Sequence, residues 1–303
     1  MKTLSVLIKR NTKLFFRDKG LFFTALITPA ILLVLYSTFL GNVYRDSFLS
    51  GLPEGFTIPE KMLDSLVASQ LTSSILAVSC VTVAFCTNML SAQDKANGTI
   101  KDITISPVGS YTLALSYYIA AFISTAAVCF TATALCFAYT AFMGWYLSVA
   151  DVFLILLDVF ILTLFGVALS SVITFFLSTQ GQISAVGTIV SSGYGFICGA
   201  YMPISSFSDG LANAVAFLPG TYGTALMRNH TMRGVLSAME KEGLPIEYIN
   251  SVRDAVDCNI YLFDNKIPTS TMYIVLVGSC AVLIGLFIVL HVIKRRKGTK
   301  ISK

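Results

Sequence analysis

Ser178-Thr179-Gln180-Gly181-Gln182 is a polar interruption in an otherwise uncharged run from 159 to 208. That run is far longer than the roughly 20 residues that cross a bilayer as a helix, so it must turn inside itself. Placing the turn at this break separates a fourth span from a fifth. A second overlong run, 103–150, holds its own turn between Gly144 and Ala150, just before Asp151. Uncharged runs also cover 20–44, 65–93 and 267–293. Together they predict an all-α membrane protein with six transmembrane helices, near 21–42, 65–90, 111–138, 152–177, 182–200 and 270–293.

Composition agrees. Of 303 residues, 55% are hydrophobic and 12% charged, about half the charge of a soluble domain. A soluble enzyme, a DNA-binding module and a disordered scaffold are all excluded by that balance. Lys2, Lys9, Arg10, Lys13, Arg17 and Lys19 precede the first span, and Lys294, Arg295, Arg296, Lys297, Lys300 and Lys303 follow the last. With Lys95 and Lys101 in the 91–110 loop, this face holds two-thirds of the 21 basic residues. The excess predicts a multi-pass protein of the plasma membrane with both termini cytoplasmic. The net charge of +5 is then a matter of topology and anionic headgroups, with no nucleic-acid partner implied.

Residues 3–17 are too charged to span. Leu4, Leu7, Ile8, Leu14 and Phe15 recur at helical spacing opposite Lys9, Arg10, Lys13 and Arg17, which predicts an amphipathic helix in the inner-leaflet interface, within a cytoplasmic segment 1–20. A signal peptide is not expected, since its apolar region would have to absorb Lys9, Arg10 and Lys13. The segment 201–269 is the largest outward piece. Its first part, 201–228, is apolar but broken by Pro203, Gly210, Pro219, Gly220 and Gly223, and is expected to re-enter the membrane as short packed helices. Its second part, 229–268, reads as a small helical cap, with Pro245 and Glu247 suited to a first helical turn.

Few residues offer chemistry. Cys80, Cys86, Cys129, Cys136 and Cys280 fall inside spans as small apolar residues, whereas Cys198 and Cys258 face outward, where pairing is open to them. With no Cys-x-x-Cys and with His230 and His291 on opposite faces, no metal site is expected. Asn229-His230-Thr231 matches a glycosylation acceptor. Asp158 is the one acid well inside a span, costing about 2.5–3.5 kcal/mol at mid-membrane; it is either interfacial and wet or a proton or cation contact. The loop Gln93 to Pro107 contains Gly98 for a turn, Thr99 as a potential cap, apolar Ile100, Ile103 and Ile105, and Pro107 as a stop. It reads either as a short helix able to receive force from a soluble partner or as a simple capped loop.

These residues, in this order, resemble the ABC-2 type transporter permeases. Gly98-Thr99 and Ser106-Pro107 match the family's cytoplasmic Gly-Thr and Ser/Thr-Pro pair. Gly193-Tyr194-Gly195, Gly199, Pro203-Ile204-Ser205, Leu218-Pro219-Gly220-Thr221-Tyr222 and Leu226-Met227-Arg228 match the stretch that follows its fifth span. Family members often carry acidic and arginine residues before Gly-Thr, where this chain has Lys95-Ala96-Asn97. The resemblance implies that 1–303 is a single transmembrane domain that forms a homo- or heterodimer on two cytoplasmic ABC ATPase subunits. The 91–110 loop would hold the coupling helix, with Gly98, Thr99, Ile103 and Pro107. It also implies a substrate path on the second and fifth spans, here Phe85, Asn88, Met89, Ser192, Tyr194 and Phe196, although the same residues suit helix packing. No Gly-x4-Gly-Lys-Ser/Thr occurs, so no catalytic residue or cofactor is expected in this chain, and ATP and Mg would sit on the partner. The implied function is ATP-driven export of an amphipathic drug, peptide antibiotic or lipid-like molecule. An ion-coupled secondary carrier and a membrane-embedded transferase are the alternatives; both want more intramembrane charge than Asp158 supplies.

Overall fold

The computed structural model describes residues 2–53, 55–106, 108–263 and 265–301; Pro107 and Lys303 lie outside them. The elements in order are α1 (Lys2–Arg17), α2 (Lys19–Leu35), a π-helical turn (Tyr36–Leu40), α3 (Gly41–Ser50), α4 (Glu60–Ala96), α5 (Thr99–Ile105), α6 (Ser110–Met143), α7 (Val149–Phe176) and α8 (Gln180–Ile197). A 3-10 turn (Ile204–Ser206), α9 (Asp209–Ala216), α10 (Pro219–Lys241), α11 (Ile246–Ala255), β1 (Tyr261–Leu262), β2 (Asn265–Lys266) and α12 (Thr269–Ile301) follow. The two short strands pair antiparallel and are the only sheet among the described residues.

Every residue of α4 from Ser65 to Asn88 is buried, and α2, α6, α7, α8 and α10 pack around it. Such a shaft needs side chains that are apolar or able to satisfy themselves. Ser73, Thr82 and Thr87 donate to carbonyls three or four residues back on their own helix, which removes the cost of burying a hydroxyl. Thr72–Thr140 (3.3 Å) and Thr87–Thr125 (2.7 Å) add hydroxyl pairs between α4 and α6. On the α7 side, Gly166 faces the Cys80 carbonyl so closely that an added Cβ would lie 2.8 Å from it, and the small residue sets the crossing.

The turns fall at the predicted breaks. Ser148 and Asp151 form a capping box at the start of α7, and Thr179 and Gln182 form another at the start of α8, satisfying amide groups that a helix start leaves orphaned. α1 buries Leu7, Asn11 and Phe15 and leaves Lys2, Lys9, Lys13 and Arg17 exposed. Among the described residues, α4, α6, α7 and α12 are long and apolar enough to cross a membrane. Of the other two expected spans, α2 has 17 residues and runs on through the π turn into α3, and α8 has 18. α4 begins five residues earlier than hydropathy suggests, directly after Pro59, and Arg45 of α3 pairs with Glu60 (3.1 Å) and Asp64 (2.5 Å) of its first turns.

The segment after α8 departs most from expectation. The sequence suggests short helices up to 228 and a separate cap beyond. Instead α10 runs unbroken through that boundary for 23 residues. Its start lies deep in the bundle: Gly220 lies against Tyr194 of α8 and Gly223 against Leu162, near the middle of α7. It then climbs antiparallel to α7 until Gly234 lies on the backbone of Tyr146, where no side chain fits. The helix within the predicted cap forms as expected, as α11 directly after Pro245.

Candidate functional site

At the end of the bundle where α1 lies, α5 connects α4 to α6. Gly98 makes the connection possible, with a φ of 82° that a glycine adopts without steric cost. Thr99 is the first helical residue and caps nothing; the left-handed Gly98 has already turned the chain, so the expected cap is unnecessary. Ile100 and Ile103 pack with Val108 against Leu7 of α1 and Leu113 and Tyr117 of α6. The other side of α5 presents Lys101, Asp102, Thr104 and Ile105 to the exterior, and Ile105 is 85% exposed. Pro107 lies outside the described residues.

A polar clasp just before this helix joins three elements. Asp94 of α4 accepts from Arg10 of α1 (3.0 Å) and from the Tyr117 hydroxyl of α6 (2.5 Å). Asn11 bridges onward to Arg10 (2.8 Å) and to Ser116 (3.4 Å). Burial works against the Arg10 charge, but Asp94, assisted by Tyr117, more than offsets it and holds the guanidinium protonated. The sequence signal was Asn11, a polar residue on the apolar stripe of α1.

The expected path residues separate into two groups. Phe85 and Asn88 are buried in the core, and the Asn88 amide donates to Ser170 (2.5 Å), Ser171 (3.2 Å) and the Val167 carbonyl (3.3 Å) of α7. Met89 packs toward α8, beside Gly187. On α8, Ser192 is exposed and donates to the Thr188 carbonyl (2.8 Å), Tyr194 is half-buried beside Gly220, and Phe196 is exposed with its edge on Tyr201. α8 buries only Ile183 and Gly195; Ser184, Ala185, Thr188, Ser191 and Ser192 form an open face of small residues. Phe85 and Asn88 therefore do not share a surface with Ser192 and Phe196 within one chain.

Three side-chain pairs hold α10, and none of the three pairings is evident from the sequence alone. Arg228 meets Asp257 (3.3 Å), the Gly199 carbonyl (2.6 Å) and Ser74 of α4 (3.5 Å). His230 Nδ1 lies 2.5 Å from Asp158 Oδ2, and the Tyr273 hydroxyl of α12 donates to the other oxygen at 2.5 Å. Arg233 pairs with Asp151. Asp158 is thus 2% exposed and held by two partners, which corrects the wet interfacial reading. Asp151 and Asp158 stand seven residues apart on one face of α7, and His230 and Arg233 three apart on one face of α10. Two acids on one face of an apolar helix and two basic side chains on one face of another are the signal the sequence carries.

Burial decides points that the sequence leaves open. Cys198 and Cys258 are free thiols, not a disulfide; Cys258 turns to Met232 (3.9 Å) and Cys198 to the Gly195 carbonyl (3.8 Å). The Asn229 amide donates to the Ala225 and Cys258 carbonyls from within α10, which leaves no accessible loop for a glycan. No group of three metal-ligating side chains occurs among the described residues.

Long apolar helices around a buried, internally paired shaft define a polytopic α-helical membrane protein. A model of the ABC-2 type transporter family matches residues 2–231, and the chain belongs to that family. It is a membrane transport component, a permease of an ABC transporter, from a family that normally works with ABC ATPase partners. In the comparison with individual curated proteins, none matches significantly.

Proposed function

We propose that the chain is the permease subunit of an ATP-driven exporter, dimerising and resting on two separate ATPase subunits. The observation that carries this reading is α5: Ile100 and Ile103 are anchored on α1 and α6, while Lys101, Asp102 and Ile105 are exposed among the described residues. An exposed isoleucine flanked by charges suits a groove on a soluble protein. The absence of a phosphate-binding loop in the sequence supports a separate ATPase. ATP and Mg belong to that partner.

In this reading α1 and both termini are cytoplasmic, in the plasma membrane, as the basic residues favour. α2 and α8 complete six spans, and the stretch from Gly199 into α10 is the re-entrant segment. Its backbone is tolerable at depth because α4, α7 and α8 bury it. The open face of α8 serves the dimer axis and the substrate path, with Ser192, Tyr194 and Phe196 on or beside it. Met89 borders the path, and Phe85 and Asn88 position α4 behind it. ATP binding would switch the dimer between inward-open and outward-open packings, moving an amphipathic drug or peptide outward.

The test is reconstitution with the cognate ATPase. Deleting 97–107 is expected to abolish substrate-stimulated ATP hydrolysis and transport while the chain still inserts. Normal coupled transport in that deletion overturns the assignment of α5.

A further inference from the structure

We propose that Lys95 is a positioning residue that carries movement of α5 into α8, by tying the end of α4 to the α7–α8 turn. The proposal rests on the reading of α5 as the coupling helix.

The geometry starts from the end of α7. The last carbonyls of any helix lack partners within it, and the negative end of its dipole sits there. Lys95 Nζ donates to the carbonyls of Thr174 (3.1 Å), Phe175 (2.8 Å) and Leu177 (2.8 Å). An ammonium has three N–H groups, and these three acceptors match them one for one. The same nitrogen lies 5.7 Å from the centre of the Phe175 ring, within cation–π range. A carboxylate at this position would face three carbonyl oxygens with like charge. An arginine fork is planar and cannot reproduce the convergent threefold arrangement.

A second, independent observation makes the tie stiff. Ala92 of α4 packs with Leu177 and with Ile183 of α8, joined by Met89, Ala96 and Val186. The end of α4, the turn 177–179 and the first turns of α8 therefore move together. Only Asn97 and Gly98 separate α4 from α5, so displacement of α5 reaches Lys95 almost directly. α8 is the element best placed to respond, because it is packed in the chain chiefly against α4 and buries just two residues. Force entering at α5 would thus tilt the open face of α8 by pulling on its first turn.

The test uses the full chain with its ATPase in lipid nanodiscs. The seven native thiols are all buried, so a bimane attached at Thr188→Cys, on the exposed face of α8, reports selectively. In the otherwise unaltered chain its emission is expected to shift on adding ATP and vanadate. Lys95→Gln is expected to keep ATPase association and to cut the amplitude at position 188 by a factor of about five, at the low end of ordinary coupling factors. Lys95→Arg, which keeps the charge but not the threefold fit, should fall between. A full-sized response in Lys95→Gln with normal association overturns the proposal. Should Lys95→Gln fail to insert, a full-sized response in Lys95→Arg overturns it instead. Ile105→Asp tests the underlying reading separately: if ATPase association survives it, the assignment of α5 fails. Hydrogen exchange at 176–179 in the permease alone then still judges the tie, since unchanged protection in Lys95→Gln overturns it without any partner.

Discussion

Arg228→Met should be the most destabilising single substitution on α10. Arg228 and Asp257 lie 3.3 Å apart, with side chains 1% and 4% exposed. At an effective dielectric constant of about 20 their attraction is about 5 kcal/mol, and removing one partner of a buried pair costs about 3–5 kcal/mol because the other charge is stranded. Asp257 keeps the backbone amides of Ile204 (2.6 Å) and Ser205 (3.3 Å), which holds the loss within that range. The assay is denaturant-induced unfolding in mixed micelles at pH 8 and pH 5. Burial already pushes the Asp257 carboxyl above the usual carboxylate range, with Arg228 and the two amides pulling it back. A carboxyl whose value is higher folded than unfolded favours the native state below that value and loses the benefit as pH rises through it. Without Arg228 nothing offsets burial except the two amides, so the loss should shrink at pH 5 by about 1 kcal/mol or more. Adding Asp257→Asn should restore about 1–3 kcal/mol at pH 8. A loss below about 1 kcal/mol, or an equal loss at both pH values, would refute the reasoning.

Asp158→Asn replaces the carboxyl shared by His230 and Tyr273 with an amide and should cost about 1–3 kcal/mol in the same unfolding assay; an unchanged midpoint would contradict the buried arrangement. Gly234→Ala, which drives a methyl into the Tyr146 backbone, should lose about 1–3 kcal/mol. Gly278→Ala on the open side of α12 has nothing within 4 Å and should gain up to about 1 kcal/mol through helix propensity. Equal effects of the two would show that α10 does not sit on residues 146–147. Non-reducing electrophoresis should show no mobility change on adding reductant, since Cys198 and Cys258 are free.

Local signals were legible wherever chemistry is local. The amphipathic period of residues 3–17 forms α1, and Ser178 to Gln182 forms the break before α8, because the Thr179 Oγ1 accepts from the Gln182 amide while the Gln182 Oε1 accepts from the Thr179 amide. Gly98 marked the turn into α5. What stayed hidden depends on residues far apart in the chain. Arg228, His230 and Arg233 look like water-facing charges until Asp257, Asp158 and Asp151 are brought against them, so hydropathy placed a boundary at 229 that α10 ignores. The resemblance sets Phe85 and Asn88 on a path, but a shaft buried on every side carries no periodic mark of which face meets which neighbour, so their contact with α7 is not legible. Lys95, singled out only as a departure from the family pattern, acquires its partners from the end of α7.

The central claim, a permease driven by a separate ATPase, is tested most directly by purifying the tagged chain from its native membrane and assaying it in liposomes. The account predicts co-purification of an ATP-binding subunit carrying a Gly-x4-Gly-Lys-Ser/Thr loop, with transport that requires ATP. A stable chain that transports at full rate with no such subunit and no nucleotide would contradict it.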